Sequence, residues 1–83
     1  MTQFYILEIQ KYANGEYGHI VHFAADADPD TARLKGESKY YEALSAAAVS
    51  ALPEHAAVLL TSEGFPVEHK CYKHDPAPAE GEE

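Results

Sequence analysis

The stretch ESKYYEALSAAAVSALPEHAAVLL, Glu37 to Leu60, decides the fold because it places a helix, a stop and the start of a hairpin in succession. Its first half predicts the main helix from about Glu37 to Ala51, ending before Pro53. Residues recur there at spacings of three and four, which predicts a buried helical stripe of Tyr40, Tyr41, Leu44, Ala47, Ala48 and Ala51.

The segment before this helix predicts an earlier helical turn. Asp28 is a good N-cap residue, and Pro29 suits the first helical position. Gly36 then either ends that turn or lies inside one longer helix. The alternative interpretation of the acidic residues here, a calcium-binding loop, is disfavoured because Thr31 stands where the loop's sharp turn needs glycine.

Two hairpins are predicted on either side of the helix. Asn14-Gly15 is the strongest short hairpin signal, and a two-residue turn there would pair Tyr12 with Tyr17. Neither face of this hairpin is cleanly polar, so we expect partial cover on both sides. Glu63-Gly64 predicts the second turn, which would place Val58 opposite His69.

The predicted element order is therefore β-β-α-β-β. Pro66 suggests that the last strand lies at an edge of the sheet. A helix that crosses from the second strand to a third strand beside the first gives a four-stranded antiparallel sheet in the order 2-1-3-4, with one main helix on one face. We expect a single α+β domain over residues 1–74 and a disordered acidic tail over residues 75–83.

Composition limits the partners and the compartment. The 83 residues carry 6 basic and 14 acidic side chains, a formal net charge of −8, and no basic patch that would hold a nucleic-acid backbone. No signal peptide or transmembrane span is recognisable, so no membrane association is expected. Cys71 is the sole cysteine, which excludes an internal disulfide and favours a reducing, cytoplasmic setting; we expect a buried structural thiol.

The alanines of the helix favour self-association. A core this small gains from a second copy, and small residues occupy more than one side of the helix. The predicted homo-oligomer interface is therefore Leu44, Ala47, Ala48 and Ala51. The alternative is that alanine is there because it is the best helix former.

The sequence predicts no metal, no cofactor and no catalytic site. His19 and His22 lie three residues apart on one predicted strand, so they point to opposite faces and cannot bind one metal together. The serines have no paired base, and the glycines are scattered rather than grouped in a phosphate-binding loop. A non-enzyme is expected; a small metal-dependent enzyme is the least favoured alternative.

Aromatic residues offer a recognition surface. The predicted ligand- or partner-binding group is Tyr12, Tyr17, His19 and Lys11, because tyrosine combines a large contact area with a polar tip. Ordinary cross-strand packing explains the same residues equally well.

The segments FYILEIQKYANGEYGHIVH, ESKYYEALSAAAVSALPEHAAVLL and EGFPVEHKCYKH resemble a family of small uncharacterised proteins encoded by bacteriophages and prophages. The resemblance covers most of Phe4 to His74 and implies an accessory role in a bacterial host, with no catalytic motif to carry over. We therefore expect an oligomeric binding protein that counters a host defence, by masking a defence protein or by sequestering a nucleotide-type signal. A virion head or tail component is the alternative.

Overall fold

The structure is a computed structural model and describes residues 1–74; the predicted acidic tail lies outside the described residues. Four antiparallel strands form one sheet in the order β2-β1-β3-β4, and one helix packs on one side of it. This arrangement confirms the predicted α+β fold and strand order. The elements are β1 (Thr2–Lys11), β2 (Tyr17–Asp26), α1 (Pro29–Ala48), β3 (Glu54–Thr61) and β4 (Pro66–Lys73).

Helix α1 begins at the predicted cap. The Asp28 carboxylate accepts a hydrogen bond from the Thr31 backbone N–H at 2.9 Å, and Pro29 occupies the first turn. The helix then continues through Gly36 without a break. The structure therefore selects the alternative of one longer helix that begins at the predicted cap; the helix ends at Ala48, so the predicted end at Ala51 is wrong.

The buried side of α1 is made almost entirely of small residues. Buried positions along it are Ala32, Gly36, Tyr40, Ala43 and Ala47. The close approach is tightest where a Cβ on Gly36 would lie 3.1 Å from the Cβ of Phe4. The alanines thus let the helix backbone approach the sheet. Of the predicted stripe, Tyr41 and Ala48 are exposed instead.

The first hairpin turns through three residues, 13–15, rather than two. Gly15 has φ +89°, the left-handed conformation that favours glycine, and its N–H donates to the Tyr12 carbonyl at 2.9 Å. Lys11, not Tyr12, therefore pairs with Tyr17. The predicted register is wrong by one residue, and each β2 side chain lies on the face opposite to the one predicted.

The second hairpin closes with the same kind of three-residue turn, 62–64, but it keeps the predicted pairing. Leu60 lies opposite Pro66, a β-bulge follows, and Val58 then lies opposite His69 as predicted. The extra residue of the bulge cancels the extra residue of the turn. Pro66 lies on an edge strand, also as predicted.

The two sides of the sheet differ in cover. The covered face packs against α1 and is formed in β1 by the even-numbered residues from Phe4 to Gln10. In the core between them, Ile6, Ala57 and Leu59 of the sheet pack against Tyr40 and Ala43 of the helix. The open face is the opposite side, formed in β1 by the odd-numbered residues from Gln3 to Lys11. No element among residues 1–74 packs on the open face, so cover on that side, by a second copy, stays a prediction.

Candidate functional site

Glu8 is a carboxylate at the centre of the covered face. It lies in the middle of β1, opposite Ile20 of β2 and Ala57 of β3. Cross-strand neighbours on one face lie within reach of a long side chain even when they are diagonal. The diagonal neighbours of Glu8 are His22 on one side and His55 on the other, and all three side chains meet between the sheet and α1.

The two imidazoles satisfy the buried carboxylate. His22 Nε2 lies 2.6 Å from Glu8 Oε2, and His55 Nε2 lies 3.0 Å from Glu8 Oε1. An ionised carboxylate only accepts hydrogen bonds, so both rings carry a proton on Nε2 and donate it to Glu8. We call these three residues the Glu8 cluster.

Opposing effects act on the pKa of Glu8. Burial raises it, but the hydrogen bonds from His22 and His55 and attraction to both rings lower it, and the net pKa lies below its ordinary value of 4.5. Glu8 and His55 are buried, at 9% and 5% exposure, whereas His22 reaches solvent. His55 Nδ1 is buried and makes no hydrogen bond within residues 1–74. The carboxylate is thus held charged, and its hydrogen bonds connect β1 to both neighbouring strands, β2 and β3.

A cavity of about 160 Å³ opens beside the Glu8 cluster, between β2 and α1. Its lining residues are Glu8, His22, Lys39, Glu42, Ala43 and Ala46. A second, more open cavity of about 370 Å³ continues along β2 and shares Lys39 and Glu42 with the first. The small side chains of α1 leave this space, because alanine cannot fill the gap between the helix and the edge of the sheet.

The chemistry available to this cavity is limited. His22 is held by a carboxylate and reaches solvent, an arrangement that supplies half of a nucleophile-activating pair. Of the residues that the structure describes, no serine, threonine or cysteine lines the cavity of the Glu8 cluster. Among residues 1–74, no three histidine, cysteine, aspartate or glutamate side chains are arranged to hold a metal ion. What the cluster does in the fold is to join β1 to β2 and to β3 through its two hydrogen bonds.

The open face carries the larger exposed apolar surface. Its outer strand β2 contributes Val21 and Phe23, which are 56% and 58% exposed. Phe23 lies 6.5 Å from Tyr5 between ring centroids, in a tilted pair. The central residues Leu7, Ile9, Val58 and Leu60 are half-buried by their neighbours in the sheet, and no element among residues 1–74 lies above them.

The predicted partner-binding group is divided between the two sides of the sheet. Lys11, Tyr17 and His19 lie on the open face, where the Lys11 Nζ is 5.9 Å from the Tyr17 ring centroid. Tyr12 lies on the other side, against Gly18; a Cβ there would be 2.6 Å from the Tyr12 hydroxyl. The one-residue register difference separates Tyr12 from the group, while the role of the other three stays a prediction.

The predicted oligomer interface is also divided. Ala47 is fully buried against the sheet and Leu44 packs beside the core, so both hold the helix within one chain. Ala48 and Ala51 are exposed. Cys71, predicted to be buried, is exposed on the open face of β4. Of the four predicted residues, Ala48 and Ala51 are thus exposed, Leu44 is half-buried, and Ala47 cannot contact a second copy.

Sequence reasoning missed the Glu8 cluster. In the predicted register Glu8 lay beside His19, and His22 lay on the opposite face. His55, two residues after Pro53, was not predicted to take part in any site. The signal that would have found the cluster is an isolated glutamate inside the apolar run QFYILEIQ, since such a charge needs partners when it is buried. The separation of His19 and His22 onto opposite faces is confirmed.

The chain matches no family model, no curated protein and no solved structure. Within residues 1–74, α1 is not apolar enough over its length to cross a membrane.

Proposed function

We propose that this chain is a non-enzymatic binding protein that masks a host protein with its open face. The observation that carries the proposal is an apolar sheet face that no described element covers, with Val21 and Phe23 more than half exposed. Contiguous exposed apolar surface of this kind marks interaction sites. A host defence protein in the bacterial cytoplasm is the partner that the resemblance to phage proteins suggests.

The charges of the open face favour a protein over a nucleic acid or a nucleotide. Its strands present two lysines, Lys11 and Lys73, and one glutamate, Glu54, so the face is nearly neutral while the whole chain carries −8. A nucleotide needs converging cations. In the cavity beside α1, Lys39 stands with the carboxylates of Glu8 and Glu42, which disfavours an anionic signal molecule there.

A variant of the open face tests the proposal. Val58→Lys adds a charge to the centre of the face, and Leu34→Lys adds the same charge to an exposed apolar residue of α1. In cells that carry the defence system, we expect the wild-type chain and Leu34→Lys to raise phage plating, and Val58→Lys to lose this effect. Melting curves of the purified variants establish that both are folded.

Two results would overturn the proposal. A folded Val58→Lys variant that protects phage as well as wild type would show that the open face is not used. A wild-type chain that leaves plating unchanged and co-sediments with phage particles would instead make it a virion head or tail component.

A further inference from the structure

No further strand among residues 1–74 pairs with either edge of the sheet, and of the two edges only β4 is protected against pairing. Strand β4 carries Pro66, a β-bulge and two lysines, Lys70 and Lys73, all of which block the addition of another strand. Strand β2 has none of these features from Tyr17 to Ala25. Its register with β1 runs through ten consecutive pairs without a bulge.

The outer side of β2 pairs with no strand among residues 1–74, and its backbone groups there can pair with another strand. Tyr12 N–H donates to the Glu16 carbonyl at 2.8 Å, which makes this the first hydrogen-bonded pair of the hairpin. Hydrogen-bonded and non-hydrogen-bonded pairs alternate along an antiparallel ladder, so Leu7 and Val21 form a non-hydrogen-bonded pair. The N–H and C=O of Val21 therefore point away from β1, toward the edge.

Charge selects the partner for this edge. The chain carries a net charge of −8, so two copies repel each other over most of their surface. The segment from Tyr17 to Ala25 contains no lysine, arginine, aspartate or glutamate. Between Tyr17 and Ala25 it is therefore a long exposed edge whose own residues present no like charge to a second copy of the same acidic chain, and only the flanking Glu16 and Asp26 lie opposite each other at the two ends. The exposed side chains of Ile20, Val21 and Phe23 gain neighbours in the same step.

We propose that β2 pairs antiparallel with β2 of a second copy, about a twofold axis near Val21. The product is one eight-stranded sheet built from two four-stranded sheets. Its two open faces join into a single surface, while the two α1 helices lie together on the opposite side. This interface differs from the alanine surface of the helix that the sequence predicts, and it does not depend on the masking of a host protein.

A proline at the edge tests the interface. In Val21→Pro the lost N–H faces the edge, so the pairing with β1 keeps all of its donors. Cys71→Pro is the matched control, because Cys71 lies opposite Ala56 in a non-hydrogen-bonded pair of the protected edge β4. By sedimentation equilibrium of the full chain we expect 18.2 kDa for wild type and for Cys71→Pro, twice the chain mass of 9.1 kDa, and 9.1 kDa for Val21→Pro.

Amide hydrogen exchange on the wild-type chain tests the same pairing without a substitution. We expect the Val21 amide to become protected as protein concentration rises, while the Cys71 amide exchanges at one rate throughout. A wild-type chain of 9.1 kDa at every concentration would overturn the proposal. A folded dimeric Val21→Pro variant would overturn it too, as would a Val21 amide whose exchange ignores concentration. If Ala48→Lys alone dissolves the dimer, the interface is the helix and the β2 proposal is wrong.

Discussion

The covered and open faces of this sheet differ in where their polar and apolar groups lie. The covered face contains Ile6 and Leu59, which are fully buried, but it also contains the charged Glu8 cluster. The open face has an apolar centre and exposes Phe23 and Val21. Helix α1 nevertheless packs on the face with the buried carboxylate.

The difference shows that apolar content alone does not decide which face is covered. Helix α1 presents Gly36 and alanines to the sheet, so its backbone lies close to the strands. It packs only on a face whose side chains fit into that narrow space. The carboxylate is tolerated because both of its oxygens accept hydrogen bonds. The open face remains apolar for a different reason, which we attribute to an external partner.

The largest expected effect compares two neighbouring leucines of β3. Leu59 is fully buried on the covered face, and Leu60 is half-buried on the open face. Leu59→Ala should lower the free energy of unfolding by about 2–5 kcal/mol, because it leaves a cavity under α1. Leu60→Ala should cost only about 1 kcal/mol, since less of its surface leaves water on folding. Urea denaturation of both variants measures the difference; equal losses would mean that the open face is covered as well.

The Glu8 cluster gives the next largest effect. Glu8→Leu removes the acceptor of the buried His55 ring and leaves both of its nitrogens without a partner, which should lower the free energy of unfolding by about 1–3 kcal/mol. The double variant Glu8→Leu, His55→Leu removes both polar groups and should recover most of that loss. Urea denaturation of the two variants tests this, and a double variant less stable than the single one would contradict it.

The same cluster predicts a loss of stability in acid. The pKa of folded Glu8 lies below its ordinary value of 4.5, so an unfolded chain takes up the proton first as pH falls. The contribution of Glu8 is therefore fully present above about pH 5 and declines as pH falls through 4.5 toward the lower folded pKa. The melting temperature of wild type should drop over this range, and that of Glu8→Leu should drop less.

Asp26 supplies the control for this measurement. Its pKa is also lowered, first by the hydrogen bond from the Asp28 N–H and then by the Lys35 side chain, but Asp26 lies near the rim of the sheet. Asp26→Asn should keep most of the acid-dependent loss. If Glu8→Leu and wild type lose stability in parallel, the Glu8 cluster is not the source.

The two hairpins show how far the sequence predicts this fold. Strand order, the helix cap and the edge position of β4 followed from local signals that tertiary packing did not override. Both turns were expected to hold two residues, and both hold three, with Gly15 and Gly64 at φ near +90°. In the second hairpin the β-bulge restores the predicted pairing, whereas the pairs of the first hairpin contain no bulge and keep the shifted register. A pair such as Asn14-Gly15 or Glu63-Gly64 predicts that the chain turns, but not how many residues the turn contains.

The Glu8 cluster was not predicted because the turn of the first hairpin contains one residue more than expected. Because side chains alternate with a period of two, the shift placed His22 on the wrong face and separated it from Glu8. His55 comes from β3, far away in the chain, so its contact with Glu8 depends on the order of strands rather than on any local motif. The sequence predicts that neither face of the first hairpin is cleanly polar. It does not predict which face stays open, because packing decides which face the helix covers.

The smallest expected effect is at the rim of the open face. The Lys11 Nζ lies 3.8 Å from Glu54 Oε2, and both side chains are about one-third exposed. Surface ion pairs of this kind contribute roughly 0–1 kcal/mol, so Lys11→Met should change the free energy of unfolding by no more than that. The change should shrink further in salt, because salt screens an exposed pair. Urea denaturation at two salt concentrations checks both statements. A loss comparable to that of Leu59→Ala would mean that the rim is buried, and hence that the open face is covered in solution by a second copy or another part of the chain.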